Sequence, residues 1–188
     1  MVKRRIFIAI NIPLEIKEKL LEFKTYWQDL PARWTKPENI HITLVFIGYV
    51  TADELKNIER VVTEASKRHG PFELKLTKIL LGPPHQPPRM VWAEIDKNHE
   101  LLGLQRDLEN TLYETPDAGY KEKERRPWSP HITLARFDPR DFQKLGFKKN
   151  ETLDINFSFS IGSVEIMEST LLRIGARYST INSIPLKT

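Results

Sequence analysis

The chain has no cysteine among its 188 residues. That absence removes disulfides, a thiol nucleophile and any thiolate-bound metal at once, and it fits a reducing compartment. Glycine is sparse, at 8 residues, and forms no glycine-rich turn of the kind that cradles nucleotide phosphates. No histidine stands at metal-ligand spacing such as His-x-His or His-Glu-x-x-His, so neither a metal nor a cofactor is expected. No apolar run approaches a membrane span. The basic-then-apolar start MVKRRIFIAINIP is too short for a signal core and meets a proline at once, so a cytoplasmic protein without a membrane partner is expected. The net charge of +4 with a pI near 9.2 is a mild excess that favours an anionic partner such as nucleic acid or phosphate, although inert surfaces also carry it.

What the chain does have is a repeated tetrapeptide. His-Ile-Thr-Leu occurs at His41 to Leu44 and again at His131 to Leu134, each time in a β-branched stretch that reads as a strand. Alternation places His41 and Thr43 on one face with Ile42 and Leu44 on the other, and the second copy does the same with His131 and Thr133. Imidazole is the only side chain that titrates near neutrality unperturbed, and two of them facing one site can give and take a proton in a single reaction. In-line displacement at phosphorus needs two such carriers, and Thr43, Thr133 and a guanidinium could supply fixed donors to the non-bridging oxygens. His69, His85 and His99 read instead as solvated residues at helix ends and turns.

Around the repeats, strands and helices alternate. Ile6 to Asn11 reads as a strand, and Pro13 opens a helix with Ile16, Leu20, Phe23, Trp27 and Leu30 on one stripe. Thr51 and Glu54 form a capping box for a helix running to about His69. Phe72 to Leu81 and Met90 to Ile95 read as strands about a proline-rich tip, and Leu101, Leu104, Leu108 and Leu112 mark a third helix. Glu114 to Pro127, with its KEKERR charge run, reads as a mobile loop, either merely solvated or steering RNA through Arg125 and Arg126. A short helix capped by Asp138 runs to about Gly146, and two long strands follow, Leu153 to Met167 and Leu171 to Ile181. No polar linker separates the halves, so the expected organisation over residues 1–188 is one duplicated α+β domain rather than two independent ones.

The pieces RRIFIAINIP, WTKPENIHITLVFIGYV, PPRMVWAEI, RPWSPHITLARF and EIMESTLLRIGARYSTI resemble, in order and across almost the whole chain, the two-histidine (2H) phosphoesterases. The likeness is to the bacterial and archaeal RNA 2',3'-cyclic phosphodiesterases first described as 2'-5' RNA ligases. The resemblance implies a bilobal, pseudo-symmetric α+β fold, with antiparallel sheets lining a central cleft and helices outside. It implies hydrolysis of RNA 2',3'-cyclic phosphate ends to 2'-phosphates, with reversible 2'-5' ligation as a further activity. His41 would be the proton donor and His131 the proton acceptor. RNA ends, tRNA fragments among them, or nucleotides would be the partners of a monomer.

By the same resemblance Arg136 contacts phosphate, although strict alternation sends it to the face opposite His131 unless the strand twists, bulges or ends there. Phe7, Trp34 and Trp128 are open between stacking a base and packing the core, and Trp92 reads as core. Two other readings remain: an RNA or nucleotide binding module whose histidines only contact phosphate, and a cyclic phosphodiesterase acting on a small metabolite.

Overall fold

The computed structural model describes residues 2–83, 86–123, 127–145, 151–172 and 175–187. In chain order the elements are β1 (Arg4–Asn11), α1 (Leu14–Glu22), β2 (Arg33–Trp34), β3 (His41–Val50), α2 (Ala52–Ser66), β4 (Phe72–Gly82), β5 (Met90–Ile95), α3 (His99–Tyr113), β6 (His131–Arg136), α4 (Pro139–Leu145), β7 (Thr152–Ile161), β8 (Ser163–Leu172) and β9 (Gly175–Pro185). His85, Arg125, Arg126 and the expected helix end at Gly146 lie outside the described residues.

All strands join one antiparallel sheet in the order β7-β4-β5-β6-β3-β1-β8-β9, with β2 on the edge of β6. The two histidine strands are its middle pair, and among the described residues Ile42 opposite Ile132 is the one register pair that joins them. Each is flanked by three further strands, so the two halves of the sheet match about that seam. Half of the sheet (β4, β5, β6, β7) is therefore built from the middle of the chain, and the other half from its two ends.

Under one face lies a single core. Ile6, Ile8, Ile42, Leu44, Ile132 and Leu134 from the sheet pack there with Leu55, Ile58 and Val62 of α2 and Leu101, Leu104 and Leu108 of α3. The α2 start follows its sequence: Thr51 accepts from the Glu54 amide at 3.3 Å, while the Glu54 carboxylate accepts from the Thr51 amide at 2.6 Å. A cap of this kind contributes roughly 1 kcal/mol. α3 is capped by Asn98, which accepts from the Leu101 amide at 2.7 Å.

Several expectations change. The first helix is α-helical only to Glu22 and tightens into a 3-10 turn over Phe23–Trp27, with Leu30 beyond it. Trp27 and Leu30 are still buried, so tertiary packing keeps the apolar stripe where helical periodicity stops. The expected Leu153–Met167 strand is broken at Gly162, and three strands stand where two were expected. β7 is an outer strand of one half and β8 an inner strand of the other. One residue spans only about 7 Å, so the sheet curls until those strand ends meet.

Nor is Glu114 to Pro127 without anchors. Pro116–Ala118 forms a 3-10 turn, Ala118 is fully buried, and Tyr120 packs into the core and donates to Glu109 at 3.1 Å. His69 is not simply solvated either: its Nε2 lies 2.8 Å from Asp107, which also accepts two bonds from Arg68, tying the end of α2 to α3. None of the described helices is long and apolar enough to cross a membrane.

Candidate active site

On β3 and β6, Ile42, Leu44, Ile132 and Leu134 are at most 2% exposed, while His41, Thr43, His131 and Thr133 are half-buried on the opposite face. The antiparallel pair Ile42–Ile132 sets their relative register. One step along either strand puts His41 across from Thr133 and Thr43 across from His131. Beyond that pair the histidine strands part. The Thr43 carbonyl accepts from Trp128 Nε1 at 3.1 Å, and the Leu134 carbonyl accepts from the Thr35 amide at 2.8 Å, beside the pairing of Trp34 with Ala135. Trp34 and Trp128 are half-buried and packed against the core at this seam.

Both imidazoles are held the same way. Nδ1 of His41 lies 2.8 Å from the Asn39 carbonyl oxygen, and Nδ1 of His131 lies 2.8 Å from that of Ser129. A carbonyl can only accept, so each Nδ1 carries the hydrogen and each Nε2 is left to exchange a proton. Nε2 of His41 is 3.0 Å from Thr43 Oγ1. Nε2 of His131 has no protein partner among the described residues.

Aromatic rings fix the orientation further. Phe7 packs against His41 at 5.0 Å between centroids with the rings tilted by 41°, and Tyr178 meets the His41 ring edge-on at 5.1 Å. Trp92 lies 4.1 Å from His131. Each ring belongs to a small apolar cluster on the site face: Phe7, Ala9 and Met167 with Tyr178 on one side, Leu80, Met90 and Trp92 on the other. Trp92 is thus buried, as its sequence context suggests, and also forms the wall behind His131. Phe7 is 2% exposed, with His41 and Tyr178 on its ring, so its packing supports the imidazole and leaves no face for a base.

The two strands share a second feature. Thr133 pairs with Trp92 and Ala135 with Val91, leaving Leu134 as a β-bulge; Thr43 pairs with Ala9 and Val45 with Ile8, leaving Leu44 as another. A bulge shifts alternation by one residue. Arg136 therefore joins the site side opposite Met90, its guanidinium 3.0 Å from the Met90 sulfur. A thioether is a weak acceptor, so the guanidinium remains open to an anion. At the matching place on β3 stands Phe46, 49% exposed. Aligning His-Ile-Thr-Leu-Val-Phe with His-Ile-Thr-Leu-Ala-Arg would have pointed to Phe46; nothing local in the sequence points to Tyr178 or to the residues that follow.

A buried polar network backs His41. Asn11 is its register partner on β1. Lys17 Nζ donates to Asn11 Oδ1 at 2.7 Å, and Glu165 accepts from the Asn11 amide at 2.8 Å and from Ser163 and Ser183 at 2.6 and 3.1 Å. Lys17 and Glu165 are only 6% and 4% exposed. Burial pushes His41 down to about 4, against the bond to the Asn39 carbonyl that favours its charged form, with Lys17, His131 and Arg136 lowering it further. Burial also lowers His131, opposed by the Ser129 carbonyl and aided by Arg136. Both rings are thus neutral at pH 7 in the free protein, and an anion between them would raise both. Among the described residues, no three His, Cys, Asp or Glu side chains gather where they could hold a metal ion.

A duplicated antiparallel sheet offering two proton carriers, two hydroxyls and a guanidinium on one face has the make-up of an acid–base centre for a phosphoryl group. Residues 10–92 match the family model described as LigT like Phosphoesterase. A protein of Aeropyrum pernix named RNA 2',3'-cyclic phosphodiesterase is 30% identical over 159 residues, covering 82% of this chain and 86% of its own length. One of Bacillus subtilis with the same name is 32% identical over 131 residues, 69% of either chain. The crystal structure of Escherichia coli LigT complexed with 3'-AMP superposes at a TM-score of 0.81 over all of both chains, at 23% identity. The chain belongs to the LigT-like phosphoesterase family.

Proposed function

We propose that this protein opens 2',3'-cyclic phosphates at RNA ends by acid–base catalysis between His41 and His131 in a single domain of two interleaved lobes. The observation that carries the reading is the mirrored arrangement of the two imidazoles, each with Nδ1 tied to a carbonyl and Nε2 toward the shared site face. The relatives named RNA 2',3'-cyclic phosphodiesterase support the substrate.

In the reaction, neutral His131 takes a proton from water as its oxygen bonds to phosphorus. The bond from phosphorus to the ribose 3'-oxygen breaks in line, and protonated His41 gives its proton to that oxygen. The products are a 2'-phosphate and a 3'-hydroxyl, and solvent returns the two rings to their starting states. Thr43, Thr133 and Arg136 stabilise the charge on the non-bridging oxygens without having to move into place. A 5'-hydroxyl in place of water would make a 2'-5' linkage by the same transfer. Phe46, exposed on the same side, supports the terminal base.

Burial keeps both rings neutral in the free protein. The productive form therefore becomes populated when the phosphate's charge draws a proton to His41. His41→Ala and His131→Ala should each lower turnover at least about a hundredfold while the protein stays folded. The double variant should lose little more, because the two act as a unit. Near-normal turnover in either folded single variant would overturn the two-histidine mechanism.

A further inference from the structure

The site face does not end at the histidines. Along β3 it continues past Thr43 to Phe46 and Tyr49, which are 49% and 60% exposed. Tyr49 pairs with Arg5 across β1, and Phe46 pairs with Phe7. β1 alternates strictly, with Ile6 and Ile8 fully buried in the core, so Arg5 shares the side of Phe7, whose ring lies on His41. Val50, next after Tyr49, is fully buried, which puts Tyr49 on the site side as well. The Arg5 guanidinium sits 4.7 Å from the Phe46 ring centre. Two exposed aromatics with a cation between them thus run from His41 over about 20 Å of strand.

The matching strand of the other half has no such row, because β6 ends at Arg136 and Phe137 turns into the core. The centre is nearly two-fold symmetric and this strip is one-sided. A 2',3'-cyclic phosphate has the same asymmetry: it ends its strand, so every further nucleotide lies on its 5' side. Stacked bases and a cation along the backbone are how single-stranded RNA is held without sequence preference.

We propose, resting on the cyclic phosphodiesterase reading above, that Tyr49 and Arg5 bind the RNA nucleotides upstream of the cyclic phosphate, Tyr49 by stacking a base and Arg5 by meeting a backbone phosphate. The strip is continuous with the catalytic face, and its cation suits the polyanion. It makes the enzyme selective for strand ends over free cyclic nucleotides.

The test compares kcat/KM on a mononucleoside 2',3'-cyclic phosphate with that on a four-nucleotide RNA ending in the same group. The unaltered protein should prefer the tetramer. Tyr49→Ala should lose about tenfold or more on the tetramer and leave the mononucleotide rate unchanged, and Tyr49→Trp should keep the preference. Arg5→Gln should flatten the salt dependence of the tetramer rate. Equal rates on both substrates for the unaltered protein, or an equal loss on both in Tyr49→Ala, would overturn the inference. Failure of the unaltered protein to turn over either substrate would overturn the reading of the centre itself, and this inference with it.

Discussion

Phe46 and Arg136 occupy matching positions on the two histidine strands, each brought to the site side by a bulge at the preceding leucine, Leu44 or Leu134. One is an exposed aromatic and the other a guanidinium whose hydrogen-bond partner among the described residues is a sulfur, so the pair breaks the symmetry of an otherwise mirrored centre. On the proposed mechanism this difference orients the substrate, with phosphate toward Arg136 and base toward Phe46.

Arg136→Ala should therefore lower kcat by about tenfold to a hundredfold, since it removes a donor to the charged non-bridging oxygens. Phe46→Ala should act mainly by raising KM, and neither change should alter which ribose oxygen keeps the phosphate. Steady-state kinetics with product analysis separates these effects. Unchanged kcat in Arg136→Ala would remove Arg136 from the phosphate site.

The pH dependence follows from the lowered histidines. A bell in kcat/KM needs one ring neutral and one protonated, so its limbs fall at the two apparent values of the coupled pair. Both lie below the ordinary 6.5, so the optimum lies on the acid side of 6.5. Bound phosphate raises both rings and should move the kcat bell to higher pH. Lys17→Met removes a buried positive charge that disfavours protonated His41, so the bell should shift to higher pH. A kcat/KM optimum above pH 7 would contradict the described environment.

Gly82 packs directly on the ring behind His131. A Cβ built there would come within 2.5 to 2.9 Å of Trp92 ring atoms. Gly82→Ala should push Trp92 off His131, lowering turnover about tenfold and stability by about 1–3 kcal/mol. Tryptophan fluorescence, thermal melting and turnover together report it. Full turnover in a variant whose Trp92 signal has shifted would show that His131 needs no such wall.

Much of this was legible in the sequence, because it rests on local rules. The duplicated His-Ile-Thr-Leu alternation fixes which side chains face the core, and Thr51 with Glu54 marks the start of α2. Arg136 was legible only conditionally: alternation pointed it away, and the bulge at Leu134 that turns it back depends on β5 pairing. What stayed hidden is non-local. Trp92 on His131, Tyr178 on His41 and the Lys17–Asn11–Glu165 network all join residues distant in sequence. The break at Gly162 was hidden for another reason, since an apolar-polar rhythm resumes directly beyond it, one position out of phase, while the chain crosses between halves of the sheet.

The most direct test of the central claim is phosphorus NMR of an RNA oligomer ending in a 2',3'-cyclic phosphate, incubated with the protein and with its His41→Ala and His131→Ala variants. The mechanism predicts that the cyclic resonance is replaced by that of a 2'-phosphate with the unaltered protein and persists with either variant. A cyclic resonance that persists with the unaltered protein, or a 3'-phosphate product, would contradict it.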